Sequence, residues 1–240
     1  MKIIALDSSG QVASVATVVD GVLTGEYSTN YKKTHSQTLL PMLDELLQMT
    51  ELELEEVDAV AISAGPGSFT GLRIGAATAK GLVLALKKPI VAVPTLEALA
   101  YNFYGYNQVI CPMMDARREQ VYSGIYTFER IGKHPFQYEL QKKKDGCAID
   151  VHELLENINQ IGQEVIFLGD GSAVYKETIM AQCNVAFSFA PFSMNVQRAA
   201  SVALLAGQMF EKGQIQTAAF HAPEYFRVSQ AEREREEKNT

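Results

Sequence analysis

Apolar residues fall into short runs at the start of the chain and into helical stripes further on, and this change of rhythm orders the elements. Lys2–Asp7 is a short apolar run ending in an acid, and Gln11–Val19 is rich in Val, Ala and Thr. Asp20-Gly21 is a two-residue hairpin signal before Val22–Ser28, so an antiparallel three-stranded meander is predicted. Leu39, Leu40, Leu43, Leu46 and Leu47 then make one stripe at i, i+1, i+4, i+7 and i+8, which predicts a helix. Pro41 fits that helix only if it begins just before the proline, where a missing N–H has no partner to lose. Val57–Ile62 reads as a β-branched strand. It runs through Ser63–Gly71, with three glycines, into a helix from about Leu72 to Leu86 that Lys87-Lys88-Pro89 closes. Ile90–Val93 is a further strand, and Thr95 is placed to cap a helix carrying Leu96, Leu99 and Ala100.

Tyr101–Asn107, rich in Tyr, Asn and Gly, marks a boundary, after which strand signals restart. Strands are predicted at Val109–Met114, Gln120–Phe128 and, after a turn at Gly132–Pro135, Gln137–Gln141. A helix at Val151–Ile161 and a strand at Val165–Leu168 follow. The loop Gly169–Ser172, a short helix at Ala173–Met180, a strand at Val185–Phe189 and a last helix at Val196–Glu211 complete the order. Strands followed by alternating helices and strands thus occur twice, although the halves share negligible sequence identity. The expected division is an N-terminal lobe, 1–106, a C-terminal lobe, 107–194, and a helix at 195–212 packing back on the first lobe. Residues 213–240 form an extension, and Ala231–Thr240, with four Glu and three Arg or Lys, should fray.

Composition narrows the class. At 240 residues and 47% hydrophobic positions, the chain can bury a sizeable core. Its 21 Lys and Arg against 28 Asp and Glu leave a net charge of −7, which argues against a free-standing nucleic-acid binder. Cys111, Cys147 and Cys183 are odd in number and far apart, so neither a disulfide framework nor a metal knuckle is read and a reducing cytoplasm is expected. The first acid arrives too early for a signal peptide, and no stretch is expected to span a membrane.

Candidate chemistry is sparse. Gly65–Gly71 lies between a strand and a helix, where backbone N–H groups can meet an anion. Its spacing is neither a Walker A loop nor the dinucleotide fingerprint, and a tight strand-to-helix turn explains the glycines equally. Gly71, Gly75 and Ala79 form one small-residue row on the following helix, with Ala77, Gly81 and Ala85 as a second. Close packing on the chain's own sheet and a docking face for another subunit both fit. Asp7 before Ser8-Ser9-Gly10, with Gly169-Asp170-Gly171, is placed to bracket a nucleotide and its Mg²⁺ between two lobes, or to serve ordinary turns. His35, His134, His152 and His221 are all more than 15 residues apart, so no helical metal pair exists. No GxSxG elbow appears either, so no catalytic residue and no metal ligand set are read. Arg117-Arg118 is a small basic spot after Asp115.

These stretches resemble the TsaB (YeaZ) family over nearly the whole chain. The resemblance is carried by Ile4–Ser9, His35–Pro41, Gly65–Gly75 (GPGSFTGLRIG), Asp115–Tyr122 and Pro223–Arg227. It implies an α/β, actin-like/Hsp70-like ATPase (ASKHA) fold of two RNase H-like lobes. It also implies a part in making threonylcarbamoyladenosine beside the anticodon of tRNA. On this reading the chain is a non-catalytic subunit that activates a TsaD-like transferase, with a TsaE-like ATPase joining them. ATP and Mg²⁺ are used by the complex, tRNA is met only through it, and the chain homodimerises. The implied interface lies on the helix after the glycine loop, at Leu72, Arg73, Ile74, Ala77, Thr78, Gly81 and Leu82. Asp7, Gly169, Asp170 and Gly171 fall where the superfamily places its phosphate loops. Where TsaD carries a histidine pair for its metal, this chain has Thr95 and Leu99, which points to a pseudo-enzyme. The competing readings are a free-standing small-molecule kinase or ATPase using Asp7 and Gly169–Gly171, and a metallopeptidase, which no residue here supports.

Overall fold

The computed structural model describes residues 1–132 and 137–227. In chain order its strands are β1 (Lys2–Asp7), β2 (Ala13–Val19), β3 (Val22–Thr29), β4 (Ala59–Gly65), β5 (Ile90–Pro94), β6 (Val109–Asp115), β7 (Gln120–Arg130), β8 (Tyr138–Asp150), β9 (Val165–Leu168) and β10 (Phe187–Phe189). Its α-helices are α1 (His35–Thr50), α2 (Phe69–Leu86), α3 (Thr95–Ala100), α4 (Val151–Ile161), α5 (Asp170–Val174), α6 (Lys176–Gln182) and α7 (Ala199–Glu211). Ala231–Thr240 and His134 lie outside the described residues.

Two five-stranded sheets repeat one plan. The first has the order β3-β2-β1-β4-β5 and the second β10-β9-β6-β7-β8. In each, the first three strands are antiparallel and the last two run parallel to the first. The β2–β3 hairpin turns on Asp20 and Gly21, both at positive φ (49° and 80°), as its dipeptide predicts. Both faces of the first sheet are covered, so β1 is apolar throughout. Ile3 and Ala5 face a core shared with α3, α7 and the second sheet, while Ile4 and Leu6 face α1 and α2. A third cluster packs α4 and α6 against the second sheet through Leu154, Leu155, Ile158, Phe167 and Ile179.

Helix starts depart from the sequence reading for local reasons. Helix α1 begins at His35, well before Pro41, because Thr34 N–H is met by Gln37 Oε1 at 3.2 Å in a capping arrangement. Pro41 is then tolerated inside the helix on its exposed face, where water can take the carbonyl left without a donor. Helix α2 begins at Phe69, since Ser68 Oγ accepts the Gly71 N–H at 3.3 Å. Thr95 is no cap: it is the first residue of α3, and its buried hydroxyl accepts the Gly65 N–H at 3.1 Å. Asp170–Val174, read as mostly loop, forms the short α5, and β8 extends well past the expected Gln141 to Asp150.

The glycines from Gly65 to Gly75 are dictated by contact. A Cβ on Gly67 would fall on the Ser9 carbonyl, one on Gly71 on the Ser8 carbonyl, and one on Gly75 on the Ser8 hydroxyl. Gly65 is at φ 130° with the Glu224 carbonyl in its Cβ direction, so a side chain fails there on both counts. The strand-to-helix segment therefore lies flat on the β1–β2 turn. By length and composition α2 is also long and apolar enough to cross a bilayer, at 18 residues with mean hydropathy 1.3. Alanine, leucine, isoleucine, valine and phenylalanine carry that average, although Arg73 and Lys80 interrupt the helix and it holds no unbroken apolar run. Here α2 packs on β4 and α1 through Leu72, Ala76, Ala79 and Val83.

The two ends of α2 should respond oppositely to one added methyl. Gly71→Ala must push the Ser8 backbone and should cost about 2 kcal/mol or more in urea unfolding. Gly81→Ala, with open space in its Cβ direction, should gain up to about 1 kcal/mol from helix propensity. Equal effects at the two positions would contradict this packing.

Candidate functional site: a cleft between the lobes and an open helix face

Turns at the ends of strands from both sheets border a cleft of about 540 Å³. One side is Ser9–Gln11, from the β1–β2 turn, with Pro66–Phe69. The other is Met114–Arg117 at the β6–β7 hairpin, with Tyr122 and Asp170, and Tyr225–Arg227 close the third side. Asp115 anchors the hairpin: its Oδ1 accepts the Arg117 N–H at 2.9 Å and the Tyr175 hydroxyl at 3.4 Å, and its Oδ2 lies 3.5 Å from Arg117 Nε. Two arginines, two aspartates and four aromatic rings thus share the lining with Ser9 and with Ser68 of the glycine run.

Of the four residues read as nucleotide contacts, Asp170 alone reaches this cleft. Its Oδ1 faces the Asp115 N–H at 3.4 Å, and desolvation raises its carboxyl above the ordinary range. Asp7 is buried at 1% exposure, and its Oδ1 takes the N–H of Ser9 at 2.8 Å and the Ser9 hydroxyl at 2.7 Å. Its carboxyl is taken up in shaping its own turn, and burial pushes its pKa up. Gly169 and Gly171 are buried with the Met113 backbone in their Cβ directions, and the Gly169 N–H goes to Asn195 Oδ1 at 2.8 Å. Asp7, Gly169 and Gly171 thus lie behind the cleft lining, in close contact with the chain's own turns. Isolated glycine and aspartate signals do not distinguish a phosphate loop from a close-packed turn; the surrounding backbone does. At the position compared with a metal site, Thr95 and Leu99 are both buried in the core.

The second feature is the outer face of α2. Arg73, Ala77, Gly81, Leu84 and Ala85 are exposed, Leu84 at 69%, and Ile74, Thr78 and Leu82 flank them half-buried. Leu72 does not belong there: at 1% exposure it points into the chain's own core, which corrects its place in the expected interface. The row Gly71, Gly75 and Ala79 packs inward and the row Ala77, Gly81 and Ala85 outward, so the two small-residue rows serve different surfaces. Tyr225, Phe226 and Arg227 at the cleft were assigned no role from sequence. Three large side chains in succession within a mostly polar extension were the available signal.

The repeated 3-2-1-4-5 strand plan with an interlobe cleft defines the actin-like/Hsp70-like (ASKHA) α/β class. A family profile described as "TsaD: tRNA N6-adenosine threonylcarbamoyltransferase" matches residues 23–235. The chain is 32% identical over 179 residues to the tRNA threonylcarbamoyladenosine biosynthesis protein TsaB of Bacillus subtilis, covering 75% of each. It is also 32% identical over 183 residues to TsaB of Haemophilus influenzae, covering 74% of this chain and 75% of that one. A Pseudomonas aeruginosa crystal structure, described as a protein with similarity to peptidase YeaZ, superposes with a TM-score of 0.79 at 28% identity, over 94% of this chain and 99% of that one. The chain belongs to the TsaB (YeaZ) family.

Because burial holds the Asp7 carboxyl above its ordinary pKa, its contribution to stability is present below about pH 4 and is lost as pH rises through the folded value. Asp7→Asn, which keeps an acceptor for Ser9, should match the parent near pH 4 and equal or exceed it in urea unfolding at pH 7. A loss of more than about 2 kcal/mol at pH 7 would show that the fold depends on the carboxylate charge.

Proposed function

We propose that this chain is a non-catalytic subunit that docks on a TsaD-like transferase and supports transfer of a threonylcarbamoyl group to tRNA adenosine. The observation that carries this reading is the exposed α2 face. An 18-residue helix whose outward row is Ala77, Gly81 and Ala85, with an exposed Leu84, offers another helix a close and largely apolar approach. It carries Arg73 and Lys80 and no acid, in a chain of net charge −7, so a docked surface should present carboxylates. The relatives' names and the matching family profile supply the process. In this reading a TsaE-like ATPase joins the assembly, a second copy of the chain competes for α2, and tRNA is held by the partners.

The free-standing kinase or ATPase reading loses its main support, since Asp7, Gly169 and Gly171 are turned into the chain's own packing. Calorimetry on the isolated chain with Mg-ATP checks this; tight binding abolished by Asp7→Ala would restore it.

The direct test is threonylcarbamoylation of tRNA by TsaD, TsaE, ATP and the threonylcarbamoyl donor, with and without this chain. Product should appear only with the chain present. Gly81→Leu meets open space in the isolated subunit and should leave its melting temperature unchanged or higher. It should nevertheless weaken partner binding about tenfold or more, as should Ala77→Arg. Unchanged affinity in both variants would remove α2 from the interface.

A further inference from the structure

Residues 224–227 touch both lobes within four positions. On the first lobe, Glu224 N–H donates to Ala64 O at 2.7 Å, and the Tyr225 ring packs on Phe69 with centroids 4.9 Å apart. The Tyr225 hydroxyl accepts from Arg73 Nε at 3.3 Å, and the Arg73 guanidinium lies 4.0 Å from the Phe69 ring centroid. On the second lobe, Phe226 meets Tyr122 edge-on at 6.0 Å, and Arg227 Nη1 donates to Ala116 O at 2.7 Å. Among the described residues neither Arg73 nor Arg227 makes an ion pair, so these contacts are what orient both guanidinium groups.

The element that Arg227 grips is unusual. Arg117, Arg118 and Glu119 all have positive φ, at 64°, 56° and 58°. Three successive non-glycine residues in the left-handed region persist only where their surroundings hold them. Asp115 restrains the hairpin from within through the Arg117 N–H, and Arg227 restrains it from outside through the Ala116 carbonyl.

We propose that residues 224–227 are a strap through which docking at α2 sets the Ala116–Glu119 hairpin across the cleft, with Arg73 and Tyr225 as positioning residues. The proposal rests on the reading of α2 as the docking helix. A partner carboxylate that orders Arg73 also fixes Phe69 and the Tyr225 hydroxyl. Tyr225 and Arg227 are two residues apart, a reach of about 7 Å at most, so the strap has little slack to absorb a shift at one end before the other feels it. Arg73 thus faces outward to a partner while held from behind, which lowers the ordering cost of docking.

Hydrogen exchange read by mass spectrometry on the full chain tests this, alone and with the TsaD-like partner. In the isolated chain, Tyr225→Ala and Arg227→Ala should each speed exchange of the peptide containing Ala116 and Gln120, whose N–H groups are bonded to Gln120 O and Arg117 O. Tyr225→Phe, which keeps the ring and loses the hydroxyl, should fall between. Partner addition should slow that peptide in the parent, and should not do so in Tyr225→Ala or Arg73→Ala at saturating partner. Parent-like exchange in Tyr225→Ala alone overturns the strap, and equal partner protection in parent and variants overturns the coupling. Failure of the parent to bind the partner overturns the docking reading and the coupling with it, while the isolated-chain comparison still decides the strap.

Discussion

Everything distinctive in this molecule depends on how closely the glycine-rich segment approaches the β1–β2 turn. Gly67, Gly71 and Gly75 lie on Ser8 and Ser9 with no room for a single Cβ, and the Ser8 hydroxyl donates to the Gly71 carbonyl at 2.9 Å. That contact sinks one side of α2 onto its own sheet and so fixes which residues remain outside. It also places Ser68 and Phe69 at the rim of the interlobe cleft, beside Ser9 and Gly10. A bulkier residue at any of the three would lift the helix, and both the cleft edge and the outer face of α2 would move with it.

The two lobes use one strand plan for different ends. In the first, the turn after the opening strand is locked by the buried Asp7 and by His35, whose Nε2 lies 3.0 Å from the Gly10 carbonyl. In the second, the equivalent turn is the left-handed hairpin anchored by Asp115, projecting Arg117 with its side chain 88% exposed. The segment between β10 and α7 ties the two together, since Asn195 takes the Gly169 N–H and the Gln197 side chain fills the space in front of Gly10. The turns at Asp7–Gly10 and Gly169–Gly171 are packed against the protein's own side chains and carbonyls.

The strand-and-helix order was legible in the sequence because periodicity and turn residues act locally. Asp20-Gly21 dictates its hairpin, the leucine stripe dictates α1, and Val151–Ile161 and Val165–Leu168 are bounded as their patterns predict. The repetition of that order also announced two similar lobes. The GPGSFTGLRIG run marked the segment that lies on the β1–β2 turn, and small residues at four-residue spacing marked a helix with one face packed inward and one exposed. The sequence could not say which small-residue row faced in, because both rows are chemically alike. Nor could it say that Asp7 and Gly169 are turned away from the cleft, since an aspartate before a serine pair shapes a turn or holds a metal with the same side chain. It could not show that Tyr225, far along the chain, would stand against Phe69 and Arg73. These points depend on contacts between residues as many as 152 positions apart. Local propensity therefore determined the elements and their order, and long-range packing alone decided which faces, turns and charges were left free to act.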